Sequence, residues 1–472
     1  FSMLNNNGVK EIQRYAFNGS SLEEVDLSET KVSSLPSMGM EAIEKLRAKN
    51  TWALKVLPPF RAFLHLQSAE LTFPSHCCGL KISTNHNHYD NTICSPQQSQ
   101  NEGLFYVELH TEHFGEGLDV ALCNELYTDG LSCSPLPDAL NPCEDVMTQG
   151  FLKVLVWVVS LLGISANFLV MFILLTSQQK LSVTRFLMGH LAFADFCMGM
   201  YLLLVASVDL YTQSHYYHYA IAWQTGSGCN LAGALSVFAS ELSVYTLTLI
   251  SLRRWHAIFY AMRPDRKIRL RHAAVLMLIG WLLCFLLALL PVIGVSSYQK
   301  VSICLPMDTE TTAARAYVVS VLIANIIAFT VVCLCYLHIF CMVHNPQHQS
   351  SRSDTSMAKR MAVLIFTNFL CLAPICFYGL SAALHQPLMT VTDSKVLLVL
   401  FYPLNSCADP FYYSILTKAF HRDILMLLSR VGLCQQQTHL YRSQYYSPQT
   451  QRDNLCPIVQ PRDPKMLQYT NH

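Results

Sequence analysis

Seven apolar stretches, each long enough to cross a bilayer, constrain this chain more than anything else in it. They run over 154–176, 186–210, 228–250, 272–295, 316–343, 361–384 and 396–416, with polar loops between them. A hydrocarbon core of ~30 Å takes roughly 20 helical residues. Backbone donors and acceptors in lipid must be satisfied within the segment, so runs of this length are read as helices. The alternative, seven buried helices of a soluble enzyme, would need the same length seven times by coincidence. Composition agrees, with 52% of 472 residues hydrophobic, 13% charged and a mean hydropathy of +0.30. Polar ends, 1–150 and 431–472, dilute that average and divide the chain further.

Net charge of +1 says nothing about partners, but its placement does. Lys180, Arg185, Arg263, Arg266, Lys267, Arg269, Arg271, Lys359 and Arg360 fall on one side of the spans, and only Lys300, Arg315 and Lys395 on the other. The positive-inside rule then puts the N-terminal region outside and the C-terminal tail in the cytoplasm of a multi-pass plasma-membrane protein. No leader peptide precedes Phe1, so an upstream portion is expected.

Residues 1–75 carry a weak leucine-rich repeat. Ile12 to Phe17, Leu22 to Leu27, Val32 to Leu35 and Leu46 to Leu57 place apolar residues at the spacing that lines short parallel strands. The piece is a partial α/β solenoid, short for a binding horseshoe, and Asn18-Gly19-Ser20 is a glycosylation acceptor within it. Residues 76–150 form a hinge with Cys77, Cys78, Cys94, Cys123, Cys133 and Cys143, an even set that reads as a disulfide framework with fifteen pairings open. Zinc is disfavoured because no paired C-x-x-C elements occur. His86, His88, His110 and His113, in a polar stretch over 83–117, read as solvated, and no metal site is expected.

Within 151–430, the informative residues are those that lipid penalises. Asp195 sits mid-span, and a carboxylate there marks an ion, proton or switch site. Asp409-Pro410 interrupts the seventh span, while Pro374 and Pro291 permit kinks in the sixth and fourth. Cys229 and Cys304 lie on the same outer side and are placed to tether a loop to the third span. No phosphate loop, nucleophile motif or metal-ligand set points to an enzyme. No polar pathway or repeat symmetry points to a transporter.

Asn167, Leu191-x-x-x-Asp195, Cys229/Cys304, Arg254-Trp255, Trp281, Pro374 and Asp409-Pro410-x-x-Tyr413 resemble the rhodopsin-like G-protein-coupled receptors. More narrowly, several stretches are similar to the glycoprotein hormone receptors. They include Ser75-His-Cys-Cys78, Asn141-Pro-Cys-Glu-Asp145, Phe238-Ala-Ser-Glu-Leu-Ser-Val-Tyr-Thr246 and Val301-Ser-Ile-Cys-Leu-Pro-Met-Asp308. Leu122-Cys-Asn-Glu125 and Tyr441-Arg-Ser-Gln444 resemble the follitropin branch, which ranks ahead of the lutropin and thyrotropin branches.

The resemblance implies an all-α seven-transmembrane helix bundle after a partial leucine-rich-repeat ectodomain and disulfide-bonded hinge, with no cofactor. It implies pairs Cys77–Cys133, Cys78–Cys143 and Cys94–Cys123, and an internal tethered agonist over 140–149 centred on Asn141, Pro142, Cys143, Glu144 and Asp145. Its expected partners are a heterodimeric glycoprotein hormone, the stimulatory G protein with cyclic AMP as output, arrestin and membrane lipids, and not nucleic acid. A second copy of the chain is left open as a partner. An eighth helix over 418–430 and palmitoylation of Cys434 are expected before the tail at 431–472.

The departures from the family pattern concern switching and binding. Arg253 stands where the family has an acid before Arg254, leaving Asp354 as the partner. Two outcomes are open: raised basal activity or impaired coupling, or an arginine that merely snorkels to the interface. Asn368 and Asp409 exchange an acid and an amide, which brings Asp409 toward Asp195, Ser243 and Asn405. Either a shared proton or a sodium ion is then expected there. Val120 replaces the tyrosine that the family sulfates, and Leu140 a phenylalanine. A hormone-activated signalling receptor is the first reading, and a truncated, non-signalling decoy, favoured by Arg253, Val120 and the short ectodomain, is the alternative.

Overall fold

The computed structural model describes residues 2–59, 62–80, 131–177, 181–260, 269–344, 371–384 and 390–416, with single positions at 367, 388 and 424. Five short strands form one parallel sheet in chain order: β1 Ser2–Met3, β2 Glu24–Asp26, β3 Lys45–Arg47, β4 Ser68–Glu70 and β5 Ser132–Ser134. The register aligns Val25, Leu46, Ala69 and Cys133 across four strands. All four are buried, beside Leu27, Ile43 and Phe63. The alternate residues face water, where Arg47 meets Glu24 at 3.4 Å and Glu70 at 3.6 Å, and Lys49 meets Glu70 at 3.1 Å. Period-two alternation thus gives the sheet one apolar and one charged face. β5 comes from the hinge, so the sheet runs past position 75.

Among the described residues, five helices are long and apolar enough to span a bilayer: α1 Gly150–Thr176, α2 Val183–Tyr211, α4 Ser227–Phe259, α5 Leu270–Leu289 and α6 Thr312–His344. A short helix, α3 Tyr216–Gln224, fills the connection between α2 and α4. The sixth span is described as α7, Cys371–Ala383. The seventh is a π turn at Leu397–Phe401 and α9 Tyr402–Leu416 with Pro410 inside it, entered from the short outer helix α8 Val391–Val396. The fourth span differs from expectation. Pro291 lacks an N–H and follows the C-cap Leu290, so it ends α5 rather than kinking it, and the chain turns at Gly294 with φ +96°.

α4 runs through the centre and touches α2, α3, α5 and α6. Close approach to the loop after α5 depends on Gly233. A Cβ there would stand 2.3 Å from the Tyr298 ring and 2.5 Å from the Cys304 carbonyl. Such contacts have no side-chain solution.

Candidate functional site

Two polar constellations stand out, one where the sheet meets the bundle and one inside the bundle. At the sheet end, the helical turn over 74–80 carries Cys77, bonded to Cys133 of β5, and Cys78, bonded to Cys143. Cys229 at the start of α4 bonds Cys304. Cys94 and Cys123 lie outside the described residues.

From Cys143 the chain runs between sheet and helices, attached at every few residues. Asn141 accepts a hydrogen bond from Gln224 Nε2 at 2.8 Å, and the Leu140 carbonyl accepts from Ser302 N at 2.9 Å. The carbonyls of Glu144 and Cys143 accept from Tyr216 N and Tyr217 N, both at 2.9 Å. Asp145 accepts from Ser214 N at 2.8 Å and from Lys153 Nζ at 2.7 Å. Burial pushes its carboxyl up, but the Lys153 ammonium and the Ser214 N–H outweigh that and hold it below its ordinary value. Met147 N donates to Asp209 Oδ1 at 2.7 Å. Pro142 is buried within this stretch.

Lys395 closes the arrangement. It lies in α8, 1% exposed, and donates to the Ala139 carbonyl at 2.6 Å and to the Val146 carbonyl. Desolvation pushes its pKa from 10.5 down to about 8, against the pull of Asp209 and Asp138. Sequence reading counted it only as a loop cation; its burial depends on tertiary packing that no local pattern encodes. The sheet region touches the bundle twice more, through Lys55 Nζ to Thr225 Oγ1 at 3.2 Å and Lys300 Nζ 4.5 Å above the Trp52 ring.

Inside the bundle, Asp195 and Asp409 are both fully buried and within hydrogen-bonding reach of each other. Ser243 Oγ donates to Asp195 Oδ1 at 3.4 Å. Asp195 Oδ2 and, in α9, Asn405 Oδ1 are buried acceptors with no donor among the described residues. Asn167 ties α1 to α9 by donating to the Gly163 and Ser406 carbonyls, both at 2.9 Å. Two touching carboxylates in a dry site need a shared proton or a cation. The orphan acceptors suit a hard cation with oxygen ligands. Asn368 lies outside the described residues.

At the end of α4 away from the sheet, Arg253 Nη1 donates to Thr184 Oγ1 in the first turn of α2, and Arg253 Nε has no acceptor among the described residues. Arg254 lies beside Tyr336 of α6. Pro374 sits in α7, Pro410 and Tyr413 in α9, and Asp354 and Cys434 outside the described residues. Asn18 is exposed in a turn, with room for a glycan.

One further carboxylate carries a signal that sequence reading passed over. Glu241, mid-helix in α4, accepts from Asn325 Nδ2 of α6 at 2.8 Å and lines a cavity of about 260 Å³ with Tyr317, Tyr402 and Met307. The rule that flags Asp195, a charge inside an apolar span, flags Glu241 equally.

Comparison with known proteins places these features in one family. The rhodopsin-family 7 transmembrane receptor pattern matches residues 166–413. The chain is 48% identical to the thyrotropin receptor of Bos taurus, over 94% of this chain and 69% of that protein. It is 49% identical to the follicle-stimulating hormone receptors of Cairina moschata and Felis catus, over 93% of this chain and 69% of each. Its structure is similar to that of squid rhodopsin at 16% identity and a TM-score of 0.49, covering 60% of this chain and 86% of that one. A pattern spanning more than half the chain and relatives near half identical leave one assignment: this chain belongs to the glycoprotein hormone receptors, a multi-pass family of rhodopsin-type G-protein-coupled receptors rather than catalysts.

Proposed function

We propose that this protein is a hormone-activated receptor whose sheet and hinge lie outside the cell and whose tail is cytoplasmic. The sheet is a leucine-rich-repeat piece that takes part in binding a heterodimeric glycoprotein hormone, and the output is the stimulatory G protein and cyclic AMP. Follitropin is the first hormone to test, with lutropin and thyrotropin beside it; near-equal identity to receptors named for two of these hormones makes the assay comparative. The observation that carries the reading is the segment 138–149, bonded covalently to the hinge at Cys143 and by hydrogen bonds to α2, α3 and α8. A hormone that displaces the hinge pulls on that segment, and it drives signalling only insofar as it binds the active arrangement more tightly.

Asp195, Asp409, Ser243 and Asn405 would hold a sodium ion in the resting state, supplying positive charge between the carboxylates. Asn18 glycosylation, Cys434 palmitoylation, arrestin recruitment by the tail, lipid contacts and pairing with a second copy complete the expectation for the family. A decoy that binds without signalling is the second reading. It is favoured by Arg253, whose bond to Thr184 ties α4 to α2 where the family uses an acid.

The test is cyclic AMP in cells expressing the chain at the surface, with each hormone or buffer and with an Arg253→Glu variant alongside. Hormone-dependent signal supports the receptor and names its hormone; basal signal lowered by Arg253→Glu identifies a loosened resting lock. Silence in every arm, including Arg253→Glu, refutes the signalling reading in favour of the decoy.

A further inference from the structure

A second cavity, of about 270 Å³, adjoins the one that holds Glu241 and shares Asn325 with it as a wall. Its walls are α4, α6 and α7, through Thr248, Phe329, Val332, Ala373 and Leu380 among others. Ile326 and Phe377, which also line it, are 39% and 59% exposed on the outer surface of the bundle. That surface belongs to membrane-spanning helices, and Asn325 lies well inside α6, so the opening faces hydrocarbon rather than water.

The two cavities share Val244, Asn325, Leu372 and Cys376 as walls. Asn325 is the partition. Its amide donates to Glu241 Oε1 at 2.8 Å and to the Val321 carbonyl at 2.9 Å. On one side is a carboxylate with a second oxygen to offer. On the other, the polar groups are nearly spent: the Thr248 hydroxyl already donates to the Val244 carbonyl at 2.8 Å.

A site with an acid in one chamber and an adjoining apolar chamber at the lipid-facing surface has a definite complement. We propose that the two cavities form one continuous site for a single-chain cationic amphiphile that arrives from the bilayer, its amine at Glu241 and its hydrocarbon chain in the chamber between α4, α6 and α7. The apolar chamber alone would accept any lipid chain; the carboxylate beyond Asn325 makes the site selective. An amine replaces hydration by a charge-assisted bond to Glu241, whereas a fatty acid of equal length places like charge against it. Occupancy requires the Asn325 side chain to swing from Glu241, so binding and the α4–α6 hydrogen bond are coupled.

The test uses the full chain purified in lipid nanodiscs, with a long-chain alkylamine carrying a photoreactive diazirine in its tail, and the fatty acid of the same length as competitor and as a second probe. Expected is saturable labelling of residues 326–332 or 373–380 by the amine, about tenfold preferred over the acid. Glu241→Gln should remove that preference while labelling by the tail persists. Ala328→Trp, on the wall of the apolar chamber, should block both probes without altering Glu241. Equal, non-saturable labelling by both probes would show ordinary lipid contact and overturn the proposal. So would amine labelling confined to the Tyr317 and Leu398 side, which would mean access from the sheet end. None of these readouts depends on signalling, so they stand apart from the cyclic AMP result.

Discussion

Lys395→Met removes the clamp between α8 and segment 138–149 without removing its bulk. In the docked state the buried ammonium is held down to about pKa 8 from an ordinary 10.5. At neutral pH this is a cost of roughly 3 kcal/mol. Against it stand hydrogen bonds to the carbonyls of Ala139 and Val146, each charge-assisted and worth ~1.5–3 kcal/mol. Methionine deletes the cost of roughly 3 kcal/mol together with bonds worth ~3–6 kcal/mol in all. The net loosening centres on about 1.5 kcal/mol, roughly a tenfold rise in transient opening. The Met147 amide, bonded to Asp209 and buried, reports that opening by hydrogen exchange in the purified full chain. The pH dependence has a definite sign. Below pH 8 the proton is bound whether the segment is docked or not, and the cost is constant. Between about 8 and 10.5 the docked lysine sheds its proton while the undocked one keeps it, so docking strengthens as pH rises. The neutral amine still has two protons for its two carbonyls. Unchanged Met147 protection in Lys395→Met, or wild-type docking that weakens from pH 7 to 9 after correction for intrinsic exchange, would refute the reasoning.

The other predictions rest on separate contacts. Gly233→Ala drives a methyl into the Tyr298 ring and the Cys304 carbonyl; a loss of about 1–3 kcal/mol and a lower melting temperature in detergent are expected. Asp145→Asn should cost ~1 kcal/mol by uncoupling Lys153 and should flatten the acid limb of stability. The carboxyl's native pKa is depressed, so its contribution is present above pH ~4 and lost as pH falls through the lower native value. Replacing choline chloride with sodium chloride should raise the melting temperature of the wild type and not of Asp195→Asn; indifference of the wild type would leave a shared proton as the occupant of the pair.

What the sequence made legible follows the physics of each signal. Lipid penalises charge so steeply that Asp195 and Asp409 announce a buried polar site from composition alone, and the structure brings them together. Leucine spacing located β2 and β3, because each strand needs one inward residue, Val25 or Leu46, per repeat. β5 was hidden, since its pairing with β4 spans the long stretch from Ser68 to Ser132 and local pattern carries no register over that distance. α3 was hidden for another reason: Tyr216 to Gln224 mixes tyrosine, histidine and alanine without an apolar stripe, and packing on the hinge, not amphipathicity, makes it a helix. Lys395 looked like a loop cation because nothing within ten residues of it foretells two carbonyls from 139 and 146.

The attachments of segment 138–149 also limit how it can move. Its backbone and side chains bond to α1 through Lys153, α2 through Asp209, α3 through Tyr216 and Tyr217, the loop before α6 through Ser302, and α8 through Lys395. A segment joined to one element could slide by degrees. Joined to five, it must break several hydrogen bonds at once to shift, and each broken bond leaves a buried polar group. Packed junctions of this kind have discrete arrangements rather than a continuous range. The Cys78–Cys143 disulfide delivers any displacement of the hinge to the middle of the segment, between the Ala139 and Val146 carbonyls that α8 holds, and α8 leads through the π turn into the helix that carries Asn405 and Asp409. The chain therefore offers a continuous path of bonds from the hinge to the buried carboxylate pair, and removal of Lys395 should loosen segment 138–149 at its contact with that path.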